Sequence, residues 1–112
     1  MFCLNINMES NIEYQIFIGC TDPQSNSEEI NEDELREMVV SFFKRKQIDF
    51  SLYSVKGGYL YKTGKYVIEN SLCINIIGQE EINIVQLAKS LSMYMNQECS
   101  LITKNYLKTS FQ

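Results

Sequence analysis

The sequence contains no histidine among its 112 residues, and this absence excludes several familiar kinds of site. Catalytic triads and histidine-ligated metal centres both use an imidazole as base or ligand, so neither can be built from this chain. Proline occurs once, at Pro23, and glycine only five times. The composition is therefore not that of a low-complexity or disordered protein.

Long hydrophobic runs are also missing, although 45% of the residues are hydrophobic. A membrane-spanning helix needs about 18 or more apolar residues in a row, and no such run is present. The start, Met-Phe-Cys-Leu-Asn-Ile-Asn, lacks the basic and apolar parts of a secretion signal. We therefore expect a cytoplasmic protein with no membrane association.

Four cysteines are present, but none lies in a Cys-x-x-Cys pair. Without that spacing, neither a zinc knuckle nor a thioredoxin-type redox motif is predicted. In a reducing cytoplasm the thiols are expected to be free and to serve mostly as small core side chains. No metal and no cofactor is predicted. The cysteines are Cys3, Cys20, Cys73 and Cys99.

The charges are unevenly distributed along a chain with 14 acidic and 10 basic residues, a formal net charge of −4. An acidic protein is not favoured to bind nucleic acid in bulk, because phosphate contacts need a basic surface. Residues 22–37 contain seven acidic side chains and one arginine, whereas residues 44–65 contain six basic side chains and one aspartate. This pattern indicates either an acidic helix start followed by a solvated basic face, or a polarised surface that binds a charged partner.

The hydrophobic periodicity alternates between period two and helical spacing. Period two predicts strands near residues 12–20, 49–56, 66–77 and 98–103. Helical spacing covers residues 35–46, after a capping pair of Asn31 and Glu34, and again residues 80–96. Within the second strand, Gly57 and Gly58 predict a bulge or bend.

This order predicts an α+β fold, the ferredoxin-like β-α-β-β-α-β sandwich. It has a four-stranded antiparallel sheet with two helices on one face. The chain forms a single domain over residues 1–112, large enough to bury about two-thirds of its unfolded surface. Residues 1–11 are expected to be a loose N-terminal arm or a short extra strand, and residues 104–112 a polar tail. The uncovered sheet face becomes a homodimer or ligand surface if it carries Tyr14, Tyr53 or Tyr66.

Residues 50–71 carry a short motif of glycine, tyrosine, glutamate and serine. The motif has a strand ending in Gly-x-Tyr, a turn with glycine, and a strand opening with Glu-x-Ser. It resembles the pattern of a family of small bacterial and phage proteins of unknown function, in which the tyrosine position also takes tryptophan. The positions that carry the resemblance are Gly57, Tyr59, Gly64, Glu69 and Ser71.

A second block of this family, Phe-x-Gln-Glu-Ser-Val, is similar to residues 95–100, with methionine for phenylalanine and cysteine for serine. The strand end Phe17-Ile18-Gly19 followed by Asp22 also resembles phage-borne members. The resemblance covers roughly residues 14–103. It implies a ferredoxin-like fold, no known activity, and the cytoplasmic mobile-element branch of the family.

Three polar residues of these motifs are candidate binding residues. If Glu69 and Glu98 share a cleft, they could act as a general acid and base or hold a divalent cation. The structural alternative is that Glu69 pairs with a lysine or a backbone group, while Gln97 and Glu98 satisfy the end of a helix. Sequence alone does not show whether the two carboxylates meet.

The segment from Lys56 to Tyr61 combines glycines, tyrosines and a lysine. It resembles the aromatic stretch of RNA-recognition motifs, but that motif belongs on the third strand of the fold, whereas this segment ends the second. It is not a phosphate loop, because the required glycine-lysine spacing is absent and no helix follows. In a dimer cleft, its tyrosines could stack on a base while lysines neutralise phosphate. The residues concerned are Lys56, Tyr59, Tyr61 and Lys65.

The leading functional hypothesis is a non-enzymatic anti-defence protein of a phage or mobile element. It would be a stoichiometric inhibitor of a host protein such as a CRISPR nuclease, with its acidic segment docked on the basic nucleic-acid channel. The alternative is a dimeric protein that binds or hydrolyses a small nucleotide messenger, and a purely structural role is a third. The acidic residues assigned to docking are Glu28, Glu29, Glu32 and Asp33.

Overall fold

The structure is a computed structural model that describes residues 8–20 and 31–110. Its secondary-structure order is strand, helix, strand, strand, helix, strand, as the periodicity predicts. None of the helices in these two ranges is long and apolar enough to cross a bilayer. The elements are β1 Glu9–Gly19, α1 Glu32–Lys46, β2 Ser51–Leu60, β3 Tyr66–Gly78, α2 Ile84–Met95 and β4 Cys99–Thr109.

The four strands form one antiparallel sheet in the order β2-β3-β1-β4. The central positions of β1 and β3, and the edge position of β4 beside β1, are those expected for the ferredoxin-like sandwich. The predicted fold class is thus confirmed.

Strict alternation along β1 and β3 builds the core. Register pairs Tyr14 with Ile76, Ile16 with Ile74 and Ile18 with Leu72, so these side chains share one sheet face. All are buried, and they pack against the apolar sides of both helices. Cys20 is also in this cluster. Tyr14 occupies the covered face, contrary to its possible place on the open one.

Each helix buries one stripe of residues spaced three and four apart, which are Leu35, Val39, Phe42 and Phe43 in α1 and Ala88, Leu91 and Met95 in α2. The N-terminus of α1 is capped by Asn31, whose side-chain oxygen accepts from the amide of Asp33 at 2.9 Å. The ring of Phe43 stacks on Phe50 with centroids 4.9 Å apart, which ties α1 to the start of β2.

Both terminal segments extend the sheet further than expected. Residues 9–11 open β1, and residues 104–109 continue β4 instead of forming a tail. The register runs to Glu9 opposite Thr109. Sequence missed this extension because Tyr106 and Lys108 lie on an edge strand, where side chains can be polar or exposed while the backbone pairs.

The β2–β3 hairpin projects beyond the rest of the sheet. The last β1 residue paired with β3 is Gly19, opposite Ser71. Residues 56–70 therefore form a two-stranded extension, here called the hairpin arm. Its turn is closed by the amide of Tyr61, which donates to the carbonyl of Lys65 at 2.9 Å, and by Gly64, whose φ of 86° suits glycine.

Truncating the sheet core should strongly destabilise the protein. We expect Ile74→Ala to lower the free energy of unfolding by about 2–5 kcal/mol, because a fully buried β3 side chain leaves a cavity. The matched change Val85→Ala removes a 52% exposed α2 side chain and should alter stability by less than about 0.5 kcal/mol. Urea unfolding followed by circular dichroism measures both, and equal losses would contradict the assigned core.

Candidate functional site

The sheet face turned away from the helices, here called the open face, has a polar centre. Glu13 on β1 accepts hydrogen bonds from Asn75 Nδ2 at 2.9 Å and from Asn105 Nδ2 at 3.3 Å, on the strands to either side. Thr103 donates to Gln15 Oε1 at 3.2 Å in the adjoining row. These side-chain hydrogen bonds connect β3, β1 and β4 on the sheet face turned away from α1 and α2.

An apolar row lies next to this polar centre. Tyr53, Cys73, Phe17 and Leu101 follow one another across the four strands. Tyr53 and Leu101 are half exposed, while the Cys73 side chain is buried. Burial, and then the negative charge of Glu13, raises the pKa of the Cys73 thiol. A protonated, buried thiol is a packing group and not a nucleophile.

The most distinctive chemical group of the open face is on the hairpin arm, where Tyr59, Tyr61 and Glu69 form what we call the arm cluster. The hydroxyl of Tyr61 donates to Glu69 Oε1 at 3.2 Å. Glu69 lies opposite Gly57 in the register. The ring of Tyr59 folds back over Gly57, which brings it beside the same carboxylate.

The two adjacent glycines make room for aromatic rings on both faces of the arm. A Cβ added to Gly57 would lie 2.9 Å from the Tyr59 hydroxyl oxygen, and one on Gly58 would lie 2.5 Å from that of Tyr66. The strand continues through both positions in unbroken register, from Ser51 to Leu60. The expected bulge or bend is therefore absent, and the two glycines leave space that the tyrosine rings occupy.

The electrostatics of the arm cluster are dominated by Glu69. Its negative charge, together with the hydrogen bond, raises the pKa of the Tyr61 hydroxyl. The phenolate would place a second negative charge beside the carboxylate, so the neutral donor form is favoured. The cluster thus presents a carboxylate held by a phenol, with a half-exposed Tyr59 ring at its side.

The remaining predicted residues of this segment lie apart from the arm cluster. By strand alternation Lys56 points to the opposite face of the arm, and Lys65 lies in the turn. Tyr66 also lies on that opposite face and not on the open one. The proposed tyrosine–lysine set is therefore divided between two faces, and only Tyr59 and Tyr61 accompany Glu69.

The acidic segment is only partly within the described residues. Glu28 and Glu29 lie outside them. Glu32 is half-buried in the first turn of α1 and accepts from Ser54 Oγ at 2.9 Å, while Arg36 donates to the same hydroxyl. Asp33 is exposed beside it.

The second motif block serves the junction of α2 and β4. Gln97 is buried, and its Nε2 donates to the carbonyl of Gly19 at 2.9 Å. Asn96 ends the helix in the left-handed conformation, with φ 51°. Glu98 is exposed at this junction, whereas Glu69 lies on the hairpin arm. Within residues 8–20 and 31–110, no cluster of three or more acidic or cysteine side chains is arranged to hold a metal ion.

The described cysteines are Cys20, Cys73 and Cys99, of which Cys20 and Cys73 are buried, and Cys73 and Cys99 are free thiols. Ser92 Oγ donates to Cys99 Sγ at 3.1 Å. Burial raises the pKa of the Cys99 thiol, and the serine hydrogen bond lowers it by less. Cys3, which is also expected to be a free thiol, lies outside the described residues.

Solved structures share this fold. A phage SAM lyase in complex with S-methyl-5'-thioadenosine is similar over 95% of this chain and 88% of its own, with 23% identity and a TM-score of 0.53. A phage SAM lyase in the apo state matches over 88% and 81%, with 21% identity and a TM-score of 0.55. CutA from Synechococcus elongatus matches over 90% and 78%, with 11% identity and a TM-score of 0.51.

At these identities the likeness establishes the fold, which phage and bacterial proteins share. No family model and no curated protein matches the sequence. The motif resemblance to a family of unknown function therefore stays a prediction.

The Tyr61–Glu69 contact can be tested by titration of the Tyr61 hydroxyl. Replacing the carboxylate in Glu69→Gln removes the negative charge that opposes phenolate formation, so the pKa of Tyr61 should fall toward its ordinary value. Tyrosinate absorbance followed against pH detects the shift, and Tyr61→Phe assigns it among the seven tyrosines. Glu98→Gln is the matched control and should leave the curve unchanged. An identical curve for Glu69→Gln would disprove the contact in solution.

Proposed function

We propose that this protein binds S-adenosylmethionine, or a closely related adenosyl sulfur compound, and cleaves it. The observation that carries the proposal is the arm cluster, a carboxylate with two tyrosines on an exposed hairpin. It belongs to a chain whose fold matches that of phage SAM lyases over most of both chains. Among the hypotheses drawn from the sequence, this proposal is closest to the alternative of a protein that binds or hydrolyses a small nucleotide messenger.

The charge of the substrate suits the arm cluster. S-adenosylmethionine carries a positively charged sulfonium, and cations are attracted both to carboxylates and to the faces of tyrosine rings. Tyr61 donates only to Glu69 Oε1, which leaves Oε2 able to face a ligand. The Tyr59 ring beside it supplies an aromatic surface for the cation or for the adenine.

The chemistry of such a substrate does not require the imidazole that this chain lacks. Formation of S-methyl-5'-thioadenosine breaks the bond between the sulfonium sulfur and the methionine Cγ. The electron pair of that bond returns to sulfur and neutralises its charge, while an oxygen of the substrate's own carboxylate forms a bond to Cγ and closes a lactone, so the substrate supplies both the nucleophile and the leaving group. In this proposal Glu69 binds and orients the sulfonium, while Tyr61 holds the carboxylate in position.

The hairpin arm also indicates self-association. On the face opposite the arm cluster, Leu60, Tyr66 and Ile68 are 70%, 64% and 56% exposed. Two-stranded hairpins are marginally stable alone, and exposed apolar patches favour association. We therefore propose that the arm packs on another copy of the chain, of which a homodimer is the simplest form. A ligand bound to the arm of a single copy would be exposed to solvent, whereas a cleft between two copies would enclose it.

A role against host defence is compatible with this activity. Cleavage of S-adenosylmethionine would deprive host defence enzymes of a methyl donor without any contact with a nuclease. Direct inhibition of a CRISPR nuclease has less support, because of the two assigned acids within the described residues, Glu32 is engaged with Ser54 and only Asp33 is exposed.

The activity is tested with purified protein and S-adenosylmethionine. We expect calorimetry to detect binding of S-adenosylmethionine and chromatography with mass spectrometry to detect S-methyl-5'-thioadenosine. Glu69→Gln and Tyr61→Phe should each reduce kcat/KM more than about tenfold, or ~1.4 kcal/mol of transition-state stabilisation, with unchanged unfolding midpoints. Glu98→Gln should retain full activity. Absence of both binding and product with the folded wild-type protein would overturn the proposal.

Self-association is tested separately by native mass spectrometry. The wild-type protein should be an oligomer. The double variant Leu60→Ser/Tyr66→Ser, which removes exposed apolar area from the arm, should shift it toward the monomer. The control Val85→Ser changes an exposed α2 side chain and should keep the oligomer. A monomeric wild-type protein would contradict an arm-mediated assembly.

A further inference from the structure

A groove on the open face lies at the opposite end of β2 from the arm cluster. It has a volume of about 280 Å³ and is lined by Asp49, Phe50, Ser51, Tyr53, Asn75 and Ile77. Four residues, or roughly 13 Å of extended strand, separate Tyr53 from the first open-face position of the arm, Gly57. We call this groove the Asn75 groove.

Glu13 fixes the orientation of the Asn75 amide at the base of this groove. Glu13 Oε2 accepts from Asn75 Nδ2 at 2.9 Å. A carboxylate accepts hydrogen bonds and does not donate them when ionised, so the NH₂ group must face Glu13 and Oδ1 must face away. Asn75 Oδ1 is buried and has no hydrogen-bond partner among the described residues. A buried acceptor in this state gains free energy from any donor that reaches it.

The other polar side chains of the groove can also accept hydrogen bonds, and the hydroxyls of Ser51 and Tyr53 can donate as well. Asp49 contributes a carboxylate and Ser51 a hydroxyl oxygen, while none of the six lining residues is a lysine or arginine. The apolar part consists of the half-exposed ring of Tyr53, of Phe50, whose ring stacks on Phe43, and of Ile77, which is 43% exposed. The groove therefore offers the exposed ring of Tyr53 and several acceptors in a negatively charged setting.

A guanidinium group matches each of these features. It is planar, positively charged, rich in N–H donors and without acceptors, and it stacks on aromatic rings. Adenine would bring ring-nitrogen acceptors that Asp49 and Asn75 Oδ1 cannot satisfy, and a carboxylate or phosphate would be repelled by Asp49. An ammonium group carries the charge but has no plane to stack on Tyr53.

We propose that the Asn75 groove binds a guanidinium group. In the bound state the guanidinium lies against the Tyr53 ring and pairs with Asp49, and it donates to Asn75 Oδ1 after a side-chain shift that uncovers this buried oxygen. The group can belong to free arginine or to an arginine side chain of another protein, and the chemistry at the groove is the same. This site is independent of the arm cluster and of the cleavage of S-adenosylmethionine.

The test is an NMR titration of the ¹⁵N-labelled full chain with three probes. L-arginine and N-acetylarginine methylamide carry the guanidinium, and citrulline is the neutral isostere with a carbonyl in its place. We expect saturable shifts for Ser51, Tyr53 and the Asn75 side-chain amide with the first two probes, and at least about tenfold weaker binding of citrulline. Equal binding of citrulline would overturn the proposal.

The two arginine probes distinguish the sources of the group. Tighter binding of free L-arginine would indicate a metabolite site, because only that probe has free amino and carboxylate groups. Equal or tighter binding of the blocked probe would indicate an arginine side chain of a partner protein. Either result supports guanidinium recognition, and no shift with either probe refutes it.

Two variants check the groove itself. Asn75→Leu removes the buried acceptor, and Asp49→Asn removes the exposed charge with little risk to folding. Each should weaken binding of the blocked arginine about tenfold. Glu98→Gln is the matched control and should bind normally. Unchanged affinity in Asp49→Asn, which remains informative even if Asn75→Leu fails to fold, would exclude the site. Neither groove variant should alter S-adenosylmethionine cleavage, so the two proposals fail independently.

Discussion

The pairing of β1 with β3 is the constraint on which the rest of the molecule depends. Ile16 opposite Ile74 sets the register, and strand alternation then places the even-numbered side chains from Ile12 to Ile18 and from Leu72 to Ile76 toward the helices. A shift by one residue would move Ile16 to the open face and Glu13 into the core. The hydrophobic core, the polar network on the open face and the Asn75 groove are thus consequences of a single register.

The same register carried along β2 and β3 determines what the hairpin arm can present. Glu69 falls opposite Gly57, and the missing side chain there leaves space for the Tyr59 ring. An alanine at Gly57 would compete with that ring for the position beside the carboxylate. The arm cluster therefore depends on a glycine that takes no part in its chemistry.

Sequence periodicity was sufficient for the fold because the buried strands β1 and β3 alternate without interruption. It was insufficient for β4 beyond residue 103, where an edge strand needs no apolar alternation to pair. The motif led to Tyr59, Tyr61 and Glu69, but their proximity required the register of the arm. Glu13 and Asn75 were missed because polar residues between core positions have the pattern of an ordinary solvent-exposed strand face.

Glu13 joins amides that are 62 and 92 residues away along the chain. Contacts of such sequence separation form late, because large loops must close before they are made. During synthesis, β1 leaves the ribosome before β4, so the edge of β1 that pairs with β4 has no partner until β4 follows. The nascent protein therefore exposes a strand edge that can pair wrongly, and the final residues of β4 decide when that exposure ends.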